Sequence, residues 1–271
     1  MPFYETNDVR LYYEVAGDGP YLLLISGLGG GTWSWFGQVP YFERHYRTIT
    51  VDNRGAGQSS APPGPYRMDQ FAADLLGLLD HLEATETFVM GLSMGGMMAQ
   101  ELALLAGNRV RAQVLGCTHC GGDQRFSPDP EVLARFVNNE GLTQAQIVDK
   151  NLPFFFSARF RETHPEPVAA YRKAQVEAPL QPAHAFLSQV DSIRTFACCK
   201  RLGRLNIPTL VVTGSEDLLV PPANAPILAG FIPGAKLVEI RGAGHALHVE
   251  CRDELNQLAH DFFAATGSKP R

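Results

Sequence analysis

Six consecutive residues, Gly91-Leu92-Ser93-Met94-Gly95-Gly96, constrain this chain more than any others. They follow the strand-like run 87–91 and open the helical period 94–105, so they must form a tight strand-to-helix turn. Glycines on either side of the serine leave room where β-carbons would collide across such a turn. The serine is thereby held in a strained backbone conformation that pushes its hydroxyl out from the sheet edge. The helix starting at Met94 turns its free N–H groups and the positive end of its dipole to the same point, where an oxyanion would be stabilised. A Gly/Ser-rich turn without chemistry is the bland alternative, and the strand before and helix behind argue against it.

A serine hydroxyl is a weak nucleophile at neutral pH. It needs a base, and the base needs an orienting acid. Gly214-Ser215-Glu216-Asp217 and Gly242-Ala243-Gly244-His245 each follow a strand-like run. Carboxylate and imidazole should therefore stand at the carboxyl ends of neighbouring strands, on the edge that carries Ser93, where open α/β sheets build their sites. Glu216 rivals Asp217, and Asp217 is favoured because G-x-x-D is the usual acid loop. His248 rivals His245, which is favoured for the tight loop that Gly244 permits. His248 and Glu250 are expected to begin the last helix and to fix that loop. The order Ser, Asp, His is that of one large enzyme class.

Around these residues, strand-like runs (21–26, 48–51, 87–91, 110–116, 209–214, 236–240) alternate with helical periods (69–83, 94–105, 253–265). That rhythm calls for crossover connections and a mostly parallel sheet. Residues 9–15 with the turn Gly17-Asp18-Gly19 read as an antiparallel edge strand and hairpin. From 123 to 204 no strand is expected. Polar helical stretches at 130–138, 143–151, 165–176 and 183–194, punctuated by prolines, look like a helical insertion. The expected division is a core of 1–122 plus 205–271 and a cap of 123–204. The tail 267–271 is expected to fray.

Composition enters by exclusion. The 271 residues carry 23 Lys+Arg against 28 Asp+Glu, a formal net charge of -5. A generic nucleic-acid binder would be basic, and an anionic membrane surface would repel this chain. The apolar runs are too short to span a bilayer, and no basic region followed by an apolar stretch opens the sequence, so the expected location is the cytoplasm. Five cysteines, an odd and sparse number, fit reduced thiols, and Cys117-Thr118-His119-Cys120 lacks the second pair that a structural zinc would need. Metal and cofactor are both expected to be absent.

Other loops line the same sheet edge. Ser26-Gly27-Leu28-Gly29-Gly30-Gly31 lets a backbone N–H approach a substrate oxygen, and its spacing is not that of a nucleotide-binding turn. Trp33, Trp35 and Phe36 follow, and some of them should line the pocket. His119 ends another strand and could face the pocket or serve as a capping group. Asp52-Asn53-Arg54-Gly55-Ala56-Gly57-Gln58-Ser59 is read as a structural loop in which Asp52 and Arg54 form a buried ion pair.

At these motifs, together with Ile207-Pro208-Thr209-Leu210-Val211-Val212-Thr213-Gly214-Ser215-Glu216-Asp217, the sequence resembles the α/β-hydrolase superfamily over essentially its whole length. The resemblance implies an eight-stranded, mostly parallel sheet flanked by helices, with a helical cap over the pocket. It implies nucleophile Ser93, acid Asp217 and base His245, with oxyanion N–H groups from Leu28 and Met94. Gly27, Trp33, Trp35 and His119 are the expected pocket residues. Ser26 stands where the family usually has a histidine, so the loop geometry should differ there. Serine at the nucleophile position disfavours the alkyl-enzyme chemistry of members with aspartate. Carboxylesterases and 3-oxoadipate enol-lactonases are the most similar subgroup. An enol-lactone acid would need a cation, with Arg125, Arg135, Arg159, Arg161 and Arg172 as candidates. The expected partner is a small-molecule ester or lactone, and a homodimer stays open. Carbon–carbon bond hydrolysis of a diketone, perhydrolysis and a slow-turnover ligand receptor are the competing readings.

Overall fold

A computed structural model describes residues 2–6 and 8–267; helix α12 runs to Gly267, and the rest of the tail expected to fray lies outside the described residues. Eight strands form one sheet: β1 (Phe3–Glu5), β2 (Arg10–Ala16), β3 (Tyr21–Ile25), β4 (Arg47–Val51), β5 (Thr87–Leu92), β6 (Val110–Gly116), β7 (Thr209–Gly214) and β8 (Lys236–Ile240). Their spatial order is β1-β2-β4-β3-β5-β6-β7-β8, and every pairing from β4 to β8 is parallel. The strand β2 pairs antiparallel with both β1 and β4. The expected hairpin at Gly17–Gly19 is therefore corrected: β4, not β3, lies beside β2. A chain turning at Gly17 crosses that edge, its glycine packed too closely on the Glu43 and Tyr46 carbonyls to accept a side chain.

The period-two rule sorts β3 between two apolar layers. Leu23 and Ile25 face one layer with α2 (Met68–His81) and α3 (Met94–Ala106). Leu22 and Leu24 face the other with α1 (Val39–Phe42) and α12 (Arg252–Gly267). The sheet is thus covered on both faces, which is what makes its central strands apolar throughout. Helix α3 buries residues on every side because it follows the Ser93 turn and lies at the centre of one layer.

Five helices fill residues 123–196 between β6 and β7: α4 (Pro130–Val137), α5 (Gln144–Phe155), α6 (Ala158–Thr163), α7 (Pro165–Glu177) and α8 (Ala183–Thr195); a sixth, α9 (Cys199–Leu202), follows them before β7. Prolines at the first positions of α4 and α7, and a Thr143–Gln146 capping box at α5, set their starts. Helices α4 and α6 bury no residue, so these helices depend on the rest of the fold for their packing. Helices α10 (Asn224–Phe231) and α11 (Leu247–Glu250) complete the chain. Among the described residues no helix is long and apolar enough to cross a membrane.

The expectation of reduced thiols throughout is corrected by a Cys120–Cys199 disulfide. Residues 120–122 and 196–198 run antiparallel at the neck of the helical segment, through a Gly121–Ala197 bridge and the Cys198 N–H to Cys120 C=O bond. That pairing carries the two sulfurs together across 79 residues of sequence. Cys117, Cys198 and Cys251 remain free.

Candidate active site

Ser93 sits between β5 and α3 with φ 55° and ψ −122°, the left-handed strain that the flanking glycines imply. A β-carbon on Gly91 would strike the Gly95 carbonyl, and one on Gly95 would strike the Ile25 carbonyl. Ser93 is pinned by its N–H to the Gly116 carbonyl at 2.9 Å, while its own carbonyl accepts from Thr118 Oγ1 at 2.7 Å. Strand ends thus hold the turn on two sides and leave the hydroxyl to the cavity, which Ser93 lines.

Asp217 and His245 follow β7 and β8. His245 Nδ1 lies 2.7 Å from Asp217 Oδ2, both groups buried. Asp217 Oδ1 accepts two more bonds, from the N–H groups of Leu219 (2.9 Å) and Val220 (2.8 Å). A carboxylate held by two amides and one imidazole fixes the proton on Nδ1 and turns Nε2 toward the cavity that His245 lines. Glu216 points to solvent, and His248 lies between Trp35 and Tyr171 with neither ring nitrogen bonded.

Gly27 and Leu28 follow β3 and line the cavity; a β-carbon on Gly27 would press on Ser93 Cβ at 3.1 Å. Met94 buries its side chain in the core and begins α3. Among the described residues neither the Leu28 nor the Met94 amide has a hydrogen-bond partner, as the first turn of a helix and an open glycine loop allow. Ser26, in the place of the family's histidine, is buried and bonded within its own loop to the Gly31 carbonyl.

The cavity has a volume of about 550 Å³ and a largely apolar wall. Trp33, Trp35 and His119 line it as expected. Of the five candidate arginines only Arg125 reaches it. Arg172 pairs with Asp149 at the surface, Arg135 covers the Phe154 ring, and Arg159 and Arg161 on α6 do not line it. Arg194 lines it as well, unpredicted, but is exposed and paired with Asp191.

The Asp52–Arg54 ion pair is corrected. Asp52 accepts from the backbone N–H groups of Thr32 and Gln58, and burial raises its carboxyl above the usual range. Arg54 turns away to Asp74 and Asp8. Asp52 and Arg54, two positions apart in one loop, find different partners.

Sequence reasoning did not foresee two struts between the helical segment and the site. Glu250 on α11 accepts from the Gly244 N–H (3.0 Å), the Ser157 N–H (3.1 Å) and the Ser157 hydroxyl, tying the His245 loop to the start of α6. Its loop-fixing role was legible, but its reach to Ser157 was not, and it lies on α11, apart from the last helix. Gln189 on α8, wholly buried, accepts from the Gly29 N–H and donates to the Arg54 carbonyl, clamping the glycine loop. Nothing in the local sequence marks that contact.

Cys117, Asp217 and His245 are the one group of potential metal ligands among the described residues, their atoms within 4.8 Å of one another. Burial and the Asp217 charge push the Cys117 thiol well up, so it holds its proton and ligates poorly. Asp217 is already engaged by the Leu219 and Val220 amides and by the His245 ring. The arrangement suits an acid–base pair rather than a cation.

A family model described as alpha/beta hydrolase fold matches residues 20–250. A 3-oxoadipate enol-lactonase 2 from Acinetobacter baylyi is 32% identical over 248 residues, 90% of this chain and 89% of that protein. A putative carbamate hydrolase RutD from Azorhizobium caulinodans is 29% identical over 97% of this chain and 98% of its own. The crystal structure of the enol-lactonase from Burkholderia xenovorans superposes with a TM-score of 0.86 at 30% identity, covering 97% of this chain and 100% of that one.

Proposed function

From the premise that this chain is a hydrolase of the α/β-hydrolase family, to which it belongs, we propose that it cleaves a carboxylic ester, lactone or thioester of a small molecule through an acyl-enzyme on Ser93. The observation that carries this reading is that the Asp217-bound His245 and a strained Ser93 line the wall of one cavity. The enol-lactonase and putative carbamate hydrolase relatives support hydrolysis at a carbonyl carbon.

In this mechanism His245 Nε2 takes the Ser93 proton as the oxygen attacks the carbonyl carbon. The Leu28 and Met94 amides receive the oxyanion. Collapse of the tetrahedral intermediate expels the leaving group, which takes the proton from His245. The imidazole then activates water, the acyl–oxygen bond breaks, and the acid leaves with Ser93 restored. Asp217 holds the tautomer and stabilises the imidazolium throughout. No cofactor takes part. The helices between β6 and β7 act as a cap that shapes the acyl and leaving-group spaces.

Turnover of p-nitrophenyl acetate and butyrate tests the assignment. Ser93→Ala is expected to lose activity on the order of 10^3-fold or more. Near-normal hydrolysis by that variant would assign the chemistry elsewhere.

A further inference from the structure

Most of the cavity wall is apolar, and among the described residues no aspartate or glutamate lines it. Among the described residues, its one cation without a carboxylate partner is Arg125, half-buried on the loop after β6, where a guanidinium nitrogen meets the Ile193 carbonyl at 3.4 Å. No acidic side chain on this wall neutralises that charge, so an anion entering the cavity meets it unopposed.

His119, 6% exposed, lies on the same loop and the same wall. Its Nδ1 accepts the Gly121 N–H at 3.1 Å, so in the neutral ring the proton must reside on Nε2. Nε2 has no protein partner and is not sealed in the interior, so it offers an N–H to the cavity. Gln100 holds the His119 carbonyl at 3.1 Å, and Phe196 backs the ring at 6.3 Å. Burial, with the nearby Arg125 charge, pushes the imidazole down to about 3, so it stays neutral with its tautomer set. A neutral donor with its tautomer set and a cation with no acidic neighbour on the wall complement an oxygen anion rather than a neutral chain end.

Resting on the serine hydrolase reading above, we propose that His119 and Arg125 form a subsite for a carboxylate that the substrate carries away from the bond attacked by Ser93. The guanidinium supplies the charge, and the imidazole N–H supplies direction.

The test compares p-nitrophenyl hydrogen glutarate with p-nitrophenyl valerate, two esters of equal chain length. The wild type is expected to prefer the acidic ester in kcat/KM. Arg125→Met is expected to lower the acidic-to-neutral ratio about tenfold or more, with Arg125→Lys restoring part of it. His119→Phe should lower the ratio too, and His119→Gln, which keeps an N–H donor, should lose less. A second arm needs no turnover: in the Ser93→Ala protein, binding of monomethyl glutarate is read by the fluorescence of Trp33 and Trp35 and weakens when Arg125→Met is added. Equal ratios in wild type and Arg125→Met, or unchanged glutarate binding, would overturn the subsite. Absence of ester turnover alongside intact, Arg125-dependent binding would instead count against the hydrolase reading and leave the subsite standing.

Discussion

At His248 the fold keeps an imidazole neutral among Trp35, Tyr171 and the site, both ring nitrogens unpaired; burial, with His245 nearby, pushes it from 6.5 down to about 3. His119 behaves alike. As pH falls below 6.5 the unfolded chain binds a proton on each ring while the folded chain refuses it. Stability from these groups is therefore complete above pH 6.5 and is lost progressively from there down to about pH 3, at no more than about 1.4 kcal/mol per pH unit for each histidine. His248→Phe should flatten the dependence of unfolding free energy on pH between 6.5 and 5, measured by urea titration; an unchanged slope would show that His248 titrates normally. Ser93, Asp217 and His245 were legible in sequence because their geometry depends on neighbours in the chain: glycines at 91, 95 and 244 and strand ends beside each. Arg125 could not be chosen among five arginines, since whether a loop arginine turns inward depends on Ile193, 68 residues away.

Among the elements, the helical segment between β6 and β7 announced itself through its prolines and its lack of strand pattern. Four of its helices begin within a residue of the expected positions, because proline and capping residues mark helix starts locally. Helix α6 is too short for its period to register, and β1 is three residues long. The Gly17 turn misled because turn chemistry says that a chain reverses, not which strand it then pairs with. The neck was illegible for the same reason: only the Gly121–Ala197 pairing brings Cys120 to Cys199. Closing 79 residues of chain should stabilise the fold by about 4 kcal/mol through the unfolded state. Cys199→Ser, or wild type held in reductant, is expected to unfold at lower urea by that margin. Identical midpoints in oxidised and reduced protein would show that the bridge does not form.

On the scale of the whole molecule, every loop that bears on the chemistry leaves the carboxyl ends of β3 to β8. The sheet therefore gathers residues from 26 to 248 around one cavity of about 550 Å³, a size suited to a small organic substrate. Glu250 and Gln189 link the overlying helices to the His245 loop and the glycine loop, so those helices and the two loops form one connected frame. The central claim is that Ser93 becomes acylated within that frame. Its most direct measurement is reaction with a serine-directed phosphonate, followed by intact and peptide mass spectrometry. A single adduct on Ser93, lost in Ser93→Ala and slowed in His245→Ala, is the predicted result. An unmodified chain, or an adduct on another serine, would contradict it.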